Sequence, residues 1–146
     1  MNMLMTNRTV ATLLLSLALL TGCGETEVTV DGRWYSPSQV VNGKALFADN
    51  CAECHGASAE GTRNWQTPGA DGAYPPPPLN GLGHAWHHPL KGLKRAIQQG
   101  GVSLGGSMPG FEGKLSDADI EALISFFQSQ WPAMTYQAWL DRGGLR

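Results

Sequence analysis

The chain is poor in cysteine and poor in charge. It holds three cysteines in 146 residues, and Asp, Glu, Lys and Arg together make up 15% of it. That is too few thiols for the dense disulfide framework of a small secreted scaffold. Ten Lys and Arg against twelve Asp and Glu give a formal net charge of −2, so the basic excess expected of a nucleic-acid binder is missing. Strand-like alternation is nearly absent as well, the one short example being Glu25 to Val30. The apolar run Val10 to Leu20, interrupted by Thr12 and Ser16, is shorter than the roughly 20 residues of a membrane span. What is plentiful is glycine (19) and proline (9). The length suits one domain, and the composition suits a loop-rich one with few helices.

Two of the cysteines stand in Cys51-Ala52-Glu53-Cys54-His55. C-x-x-C-H is the attachment signature of a c-type haem. Two thiols at this spacing can add to the two vinyl groups on one haem edge, and the adjacent histidine can donate a ring nitrogen to the iron. C-x-x-C alone also fits a redox dithiol, a disulfide or half of a zinc site. No βαβ pattern flanks it to favour the dithiol, and the histidines at 84, 87 and 88 lie at a spacing zinc modules rarely use.

The third cysteine has a different context. Arg8 supplies a positive start, the apolar run follows, and Leu20-Thr21-Gly22-Cys23 closes it. This resembles a bacterial lipobox, with residues 1–22 as a lipoprotein signal peptide and Cys23 lipidated. A plain signal peptide or an uncleaved anchor are the other readings. The lipid would tether the protein to the cell envelope on its periplasmic face, and Gly24 points weakly to the outer membrane by analogy with Gram-negative sorting. Removal of the segment changes the charge to +9 − 12 = −3, because only Arg8 is lost.

Residues 24–35 read as a tether. Ser36 as N-cap and Pro37 as first helical residue open a helix to residue 50, with Val40, Gly43 and Phe47 on one face. Gly43 weakens a helix unless another backbone must come close. Residues 56–88 read as loop, with Pro75 to Pro78 as a stiff wall against a cofactor. His84, His87 and His88 are either a solvated turn or a site for copper or another metal. A second helix is expected over 89–99, ended by Gly100-Gly101, with Lys91, Lys94 and Arg95 as a basic outer face. The third, 116–131, has a capping-box pattern at Ser116 and Asp119 and an apolar face of Ile120, Leu123, Ile124, Phe127 and Trp131. Residues 132–146 are a C-terminal extension, either a short helix or a surface tail.

Together these features resemble a class I c-type cytochrome, mono-haem, over about Pro37 to Trp131. Gly43-x-x-x-Phe47 ahead of Cys51 matches the family's first helix, and Pro77-Pro78-Leu79-Asn80-Gly81 matches its Pro-x-Leu-x-Gly. The resemblance implies an all-α fold of three to four helices with long loops around one covalent haem c, occupying residues 36–131. It implies close passage of the first and last helices at Gly43, with Leu123, Phe126 and Phe127 as partners. It also implies that the carbonyl of Pro77 accepts a bond from Nδ1 of His55, and that Met108 is the sixth iron ligand opposite His55. Trp86 and Trp65 are candidate donors to a haem propionate. The histidine cluster and the tail are not general family features.

The function implied is single-electron transfer between exported redox proteins by a membrane-tethered carrier. It would act alone or as a subunit of an oxidoreductase, not as an enzyme in its own right. The alternatives are a haem enzyme or gas sensor with an open or labile sixth site, and a metal-binding accessory protein using the three histidines.

Overall fold

The computed structural model describes residues 29, 30 and 32–146. Cys23, the signal segment and the first part of the tether lie outside the described residues. Five α-helices follow in order: α1 (Pro37–Asn50), α2 (Ala52–His55), α3 (Leu90–Gln99), α4 (Asp117–Ser129) and α5 (Ala133–Asp141). Two 3₁₀ turns, Ala85–His87 and Val102–Leu104, lie in the loops on either side of α3. Among the described residues every regular element is helical, and no helix is long and apolar enough to cross a membrane.

Helices α1 and α4 start as their caps dictate. The Ser36 hydroxyl accepts from the Gln39 amide while the Gln39 side chain accepts from the Ser36 amide, and Pro37 follows at the first helical position. Ser116 and Asp119 close the same reciprocal box on α4. These bonds from Ser116 hold the Asp119 carboxyl below its usual range.

The centre of the fold is the crossing of α1 over α4. A Cβ on Gly43 would collide with the carbonyl of Ala122 and stand 3.0 Å from Cβ of Phe126. Glycine is therefore required by contact with backbone, which has nowhere to move. One turn on, Phe47 packs on Phe126 with ring centroids 5.1 Å apart. The close partners are thus Ala122 and Phe126. Leu123 and Phe127, also expected at the crossing, are buried and line a cavity. Ala122 through Gln128 are all buried, because α4 is covered on every side.

Segments outside 36–131 also belong to this core. Tyr35 is fully buried, and Arg33 donates to the carbonyls of Gln128 (2.6 Å) and Trp131 (3.1 Å) at the C-terminal end of α4. A cation there satisfies orphan carbonyls and meets the negative end of the helix dipole. Trp34 donates its indole N–H to Gln128 Oε1 at 2.7 Å. The tail forms α5, whose Tyr136 and Trp139 are buried, and Trp139 donates to the carbonyl of His88 at 2.8 Å. Residues 33–35 are packed rather than free tether, and 133–141 are a helix rather than a surface tail.

The expected basic face of α3 is partly neutralised. Lys94 Nζ lies 3.3 Å from Asp117 Oδ2 and 2.9 Å from Glu121 Oε1, linking α3 to α4.

Candidate functional site

Helix α2 begins right after the C-terminus of α1, which brings the C-x-x-C-H motif onto one short turn. Cys51, Cys54 and His55 all line a cavity of about 580 Å³. Cys51 is half-buried, Cys54 exposed and His55 only 8% exposed. Neither thiol is in a disulfide. A reactive dithiol has a depressed thiol pKa. Here burial, and then the neighbouring Cys54, push Cys51 up to about 11, against a smaller opposing pull from Lys114. That is not the setting of an activated thiol at Cys51.

His55 Nδ1 lies 2.9 Å from the carbonyl oxygen of Pro77. A carbonyl can only accept, so Nδ1 carries the proton and the lone pair is on Nε2. Burial lowers the His55 pKa and the bond to Pro77 opposes this, leaving a ring that favours the neutral form. A neutral imidazole with a fixed tautomer is a prepared metal ligand.

The proline run is held in place by its neighbours. Gly61 donates to the His55 carbonyl at 2.7 Å, Thr62 to that of Pro76 at 2.9 Å, and Leu79 to that of Ala59 at 2.8 Å. Gly61 has φ +65°, and a Cβ there would strike the Pro77–Pro78 peptide. From the far side the Trp131 indole donates to the Leu79 carbonyl at 2.7 Å. Pro77 is thus fixed relative to both α2 and α4.

Met108 lines the same cavity from the loop between α3 and α4. Gly101 and Gly106 tie this loop together, with Gly101 N–H donating to the Met108 carbonyl and Gly106 N–H to the Gly101 carbonyl, both at 2.9 Å. Gly100, at φ +71°, passes so close under Met108–Gly110 that a side chain would not fit. Met134, by contrast, is 85% exposed on α5.

The remaining aromatic and histidine candidates separate into two groups. Trp65 lines the large cavity, its ring stacked on His84 with centroids 5.2 Å apart. Trp86 does not line it; it lines a smaller cavity of about 190 Å³, under the guanidinium of Arg142. His84 and His88 border the large cavity, whereas His87 stacks on Trp86 and accepts from Arg142 at 3.4 Å. Among the described residues no three His, Cys, Asp or Glu side chains gather as a metal would need. His88 borders both cavities, while His84 borders the large one and His87 the small one.

The large cavity fits a haem by the chemistry of its donors. Its wall is mainly apolar (Phe47, Leu93, Ile97, Phe111, Leu123 and Phe127 among others), and its volume is in the range of ligand sites. The residues that border it supply two thiols, one imidazole of fixed tautomer and one thioether.

A family model described as cytochrome C oxidase, cbb3-type, subunit III, matches residues 38–127. The cbb3-type cytochrome c oxidase subunit FixP of Rhizobium meliloti (strain 1021) is 35% identical over 94 residues, 64% of this chain and 28% of that protein. FixP of Sinorhizobium medicae (strain WSM419) is 33% identical over 93 residues, again 64% and 28%. A quinohemoprotein alcohol dehydrogenase of Comamonas testosteroni is 31% identical over 99 residues, 68% of this chain and 12% of that protein. The chain therefore spans less than a third of the length of these relatives. No solved structure matches it.

Proposed function

Because the chain belongs to the cytochrome c oxidase, cbb3-type, subunit III family, a family of c-type cytochromes, we propose that it is a mono-haem electron carrier tethered to a membrane through Cys23. A bound haem c supplies one-electron redox chemistry. The chain's own residues do the rest. Cys51 and Cys54 would hold the haem edge covalently, each thiol adding across one vinyl group. His55 would donate Nε2, with Pro77 keeping the proton on Nδ1 and so fixing the ring's orientation. Met108 would supply a soft thioether that favours the ferrous state. With both His55 and Met108 held as ligands, no position would be left open for a substrate, which would suit carriage rather than catalysis. The apolar wall would limit the access of water to a bound haem.

The single observation carrying this reading is the bond from His55 to Pro77 inside a cavity that Cys51, Cys54 and Met108 also border. The relatives named as oxidase subunits and as a quinohemoprotein dehydrogenase favour a partner of the same kind: a larger redox assembly that this domain feeds or drains. Tethering would raise the local concentration of such partners on one membrane.

Covalent attachment is tested by haem staining on a denaturing gel. The wild type keeps its haem, and Cys51→Ser with Cys54→Ser abolishes the stain. A stained double variant would refute the assignment. Cys23→Ser should release the protein from the membrane fraction; retention there would refute the lipid tether.

A further inference from the structure

His84 and His88 have no part in the mechanism above, yet both border the large cavity. We propose that these two imidazoles are the charge partners of the haem propionates, and that a proton on them is taken up and released with the electron. This rests on the haem-binding reading and extends it to how the potential is set.

Carboxylates at the edge of an apolar cavity need donors or positive charge nearby. The cavity offers little. Among the described residues no lysine or arginine lines it, and its acidic residue, Glu53, has the wrong sign. Beyond His55, the described side chains there that can become cationic are His84 and His88. They stand together, rings 5.6 Å apart edge to face, with Trp65 stacked on His84 as a neutral N–H donor. All three sit at the mouth rather than the floor: His84 and His88 are exposed and Trp65 is half-buried. An exposed rim is where a bound haem would keep its carboxylates, the part of the group that water solvates.

The surroundings make the pair responsive. Burial, followed by the charges of His88 and His87, lowers the His84 pKa. Behind the pair, Arg142 contacts His87, and Arg142 and Arg146 line the smaller cavity that His88 also borders. From the other walls come Glu53 of α2 and the Tyr74 hydroxyl. Lys114, the cation near the thiol end, sits over the Phe111 ring at 5.3 Å. In this setting a propionate beside His84 would oppose the lowering of its pKa. Reduction adds one electron from the partner and makes the site more negative, so the imidazole binds up to one proton from solvent more tightly. The reduced protein's pKa then exceeds the oxidised one's. The potential falls with rising pH between the two values and is flat outside them.

The test is a redox titration of the haem-loaded protein from pH 5 to 9, followed by the visible spectrum. Wild type should show a sloping region whose steepness approaches, but does not exceed, about 59 mV per tenfold change in proton concentration. His84→Gln and His88→Gln should each shallow the slope, and the double variant should remove it. His87→Gln and Lys114→Gln should leave it in place. As a check on the unaltered protein, NMR titration should place the His84 pKa higher in the ferrous than in the ferric state. A flat wild-type curve, or a double variant that keeps the wild-type slope, overturns the proposal while leaving haem binding intact. Loss of the haem spectrum in wild type would instead overturn the function on which it rests.

Discussion

The two sides of the cavity are built differently. On one side α1 crosses α4 through side-chain packing: Gly43 on the Ala122 carbonyl, Phe47 on Phe126, and a fully buried row from Ala122 to Gln128. On the other, residues 56–88 and 100–111 carry no α-helix, only the two 3₁₀ turns, and are held by single hydrogen bonds and by glycines under neighbouring backbone. The packed side buries large apolar side chains, Phe47, Ile120, Leu123, Ile124, Phe126 and Phe127 among them. The stapled side gains little from burial and relies on a few precise contacts, with a large apolar space beside it. Stability and cofactor geometry thus reside in different halves. A helix pair supplies the platform, and loops deliver Pro77 and Met108 to it.

Substitutions should separate the halves. Gly43→Ala forces a methyl group into a backbone carbonyl, and should cost about 3 kcal/mol in denaturant unfolding, the upper end of overpacking. An unchanged midpoint would mean the helices are free to slide. Gly61→Ala combines a positive φ with a clash at the Pro77–Pro78 peptide, and should cost about 2 kcal/mol. Its signature should be a changed iron spectrum as Pro77 shifts away from His55, which Gly43→Ala should not show in its folded fraction. Trp131→Phe keeps most of the ring but strands the Leu79 carbonyl, for a loss of about 1.5 kcal/mol. Smallest is Lys94→Gln on the exposed α3–α4 link, expected to cost under about 1 kcal/mol and to vanish at high salt.

The same division explains what could be read from the residues alone. Local rules sufficed for α1 and α4, since a cap, a Pro and a repeating apolar face are all within a few positions of one another. The haem motif was legible in its own five residues, Cys51 to His55, and the pairing of His55 with Pro77 because the resemblance carried it. Contacts of long sequence separation were not. Arg33 reaching Gln128 and Trp131, or Trp139 reaching the His88 carbonyl, leave no periodic trace, so residues 33–35 resembled a tether and 132–146 an extension. Trp65 and Trp86 were equivalent as letters. The 3₁₀ turn at Ala85–His87 turns Trp86 toward Arg142 and leaves Trp65 beside the large cavity. The three histidines read as one cluster, yet this turn divides them between two cavities.

The most direct test of the account is the visible spectrum of the haem-loaded protein, recorded oxidised, reduced, and reduced under carbon monoxide. Ligation by His55 and Met108 predicts a low-spin spectrum that carbon monoxide leaves unchanged, and Met108→Ala should make the iron high-spin and reactive to the gas. A high-spin wild type, or one that binds carbon monoxide readily, would contradict the carrier and put a haem enzyme or gas sensor in its place.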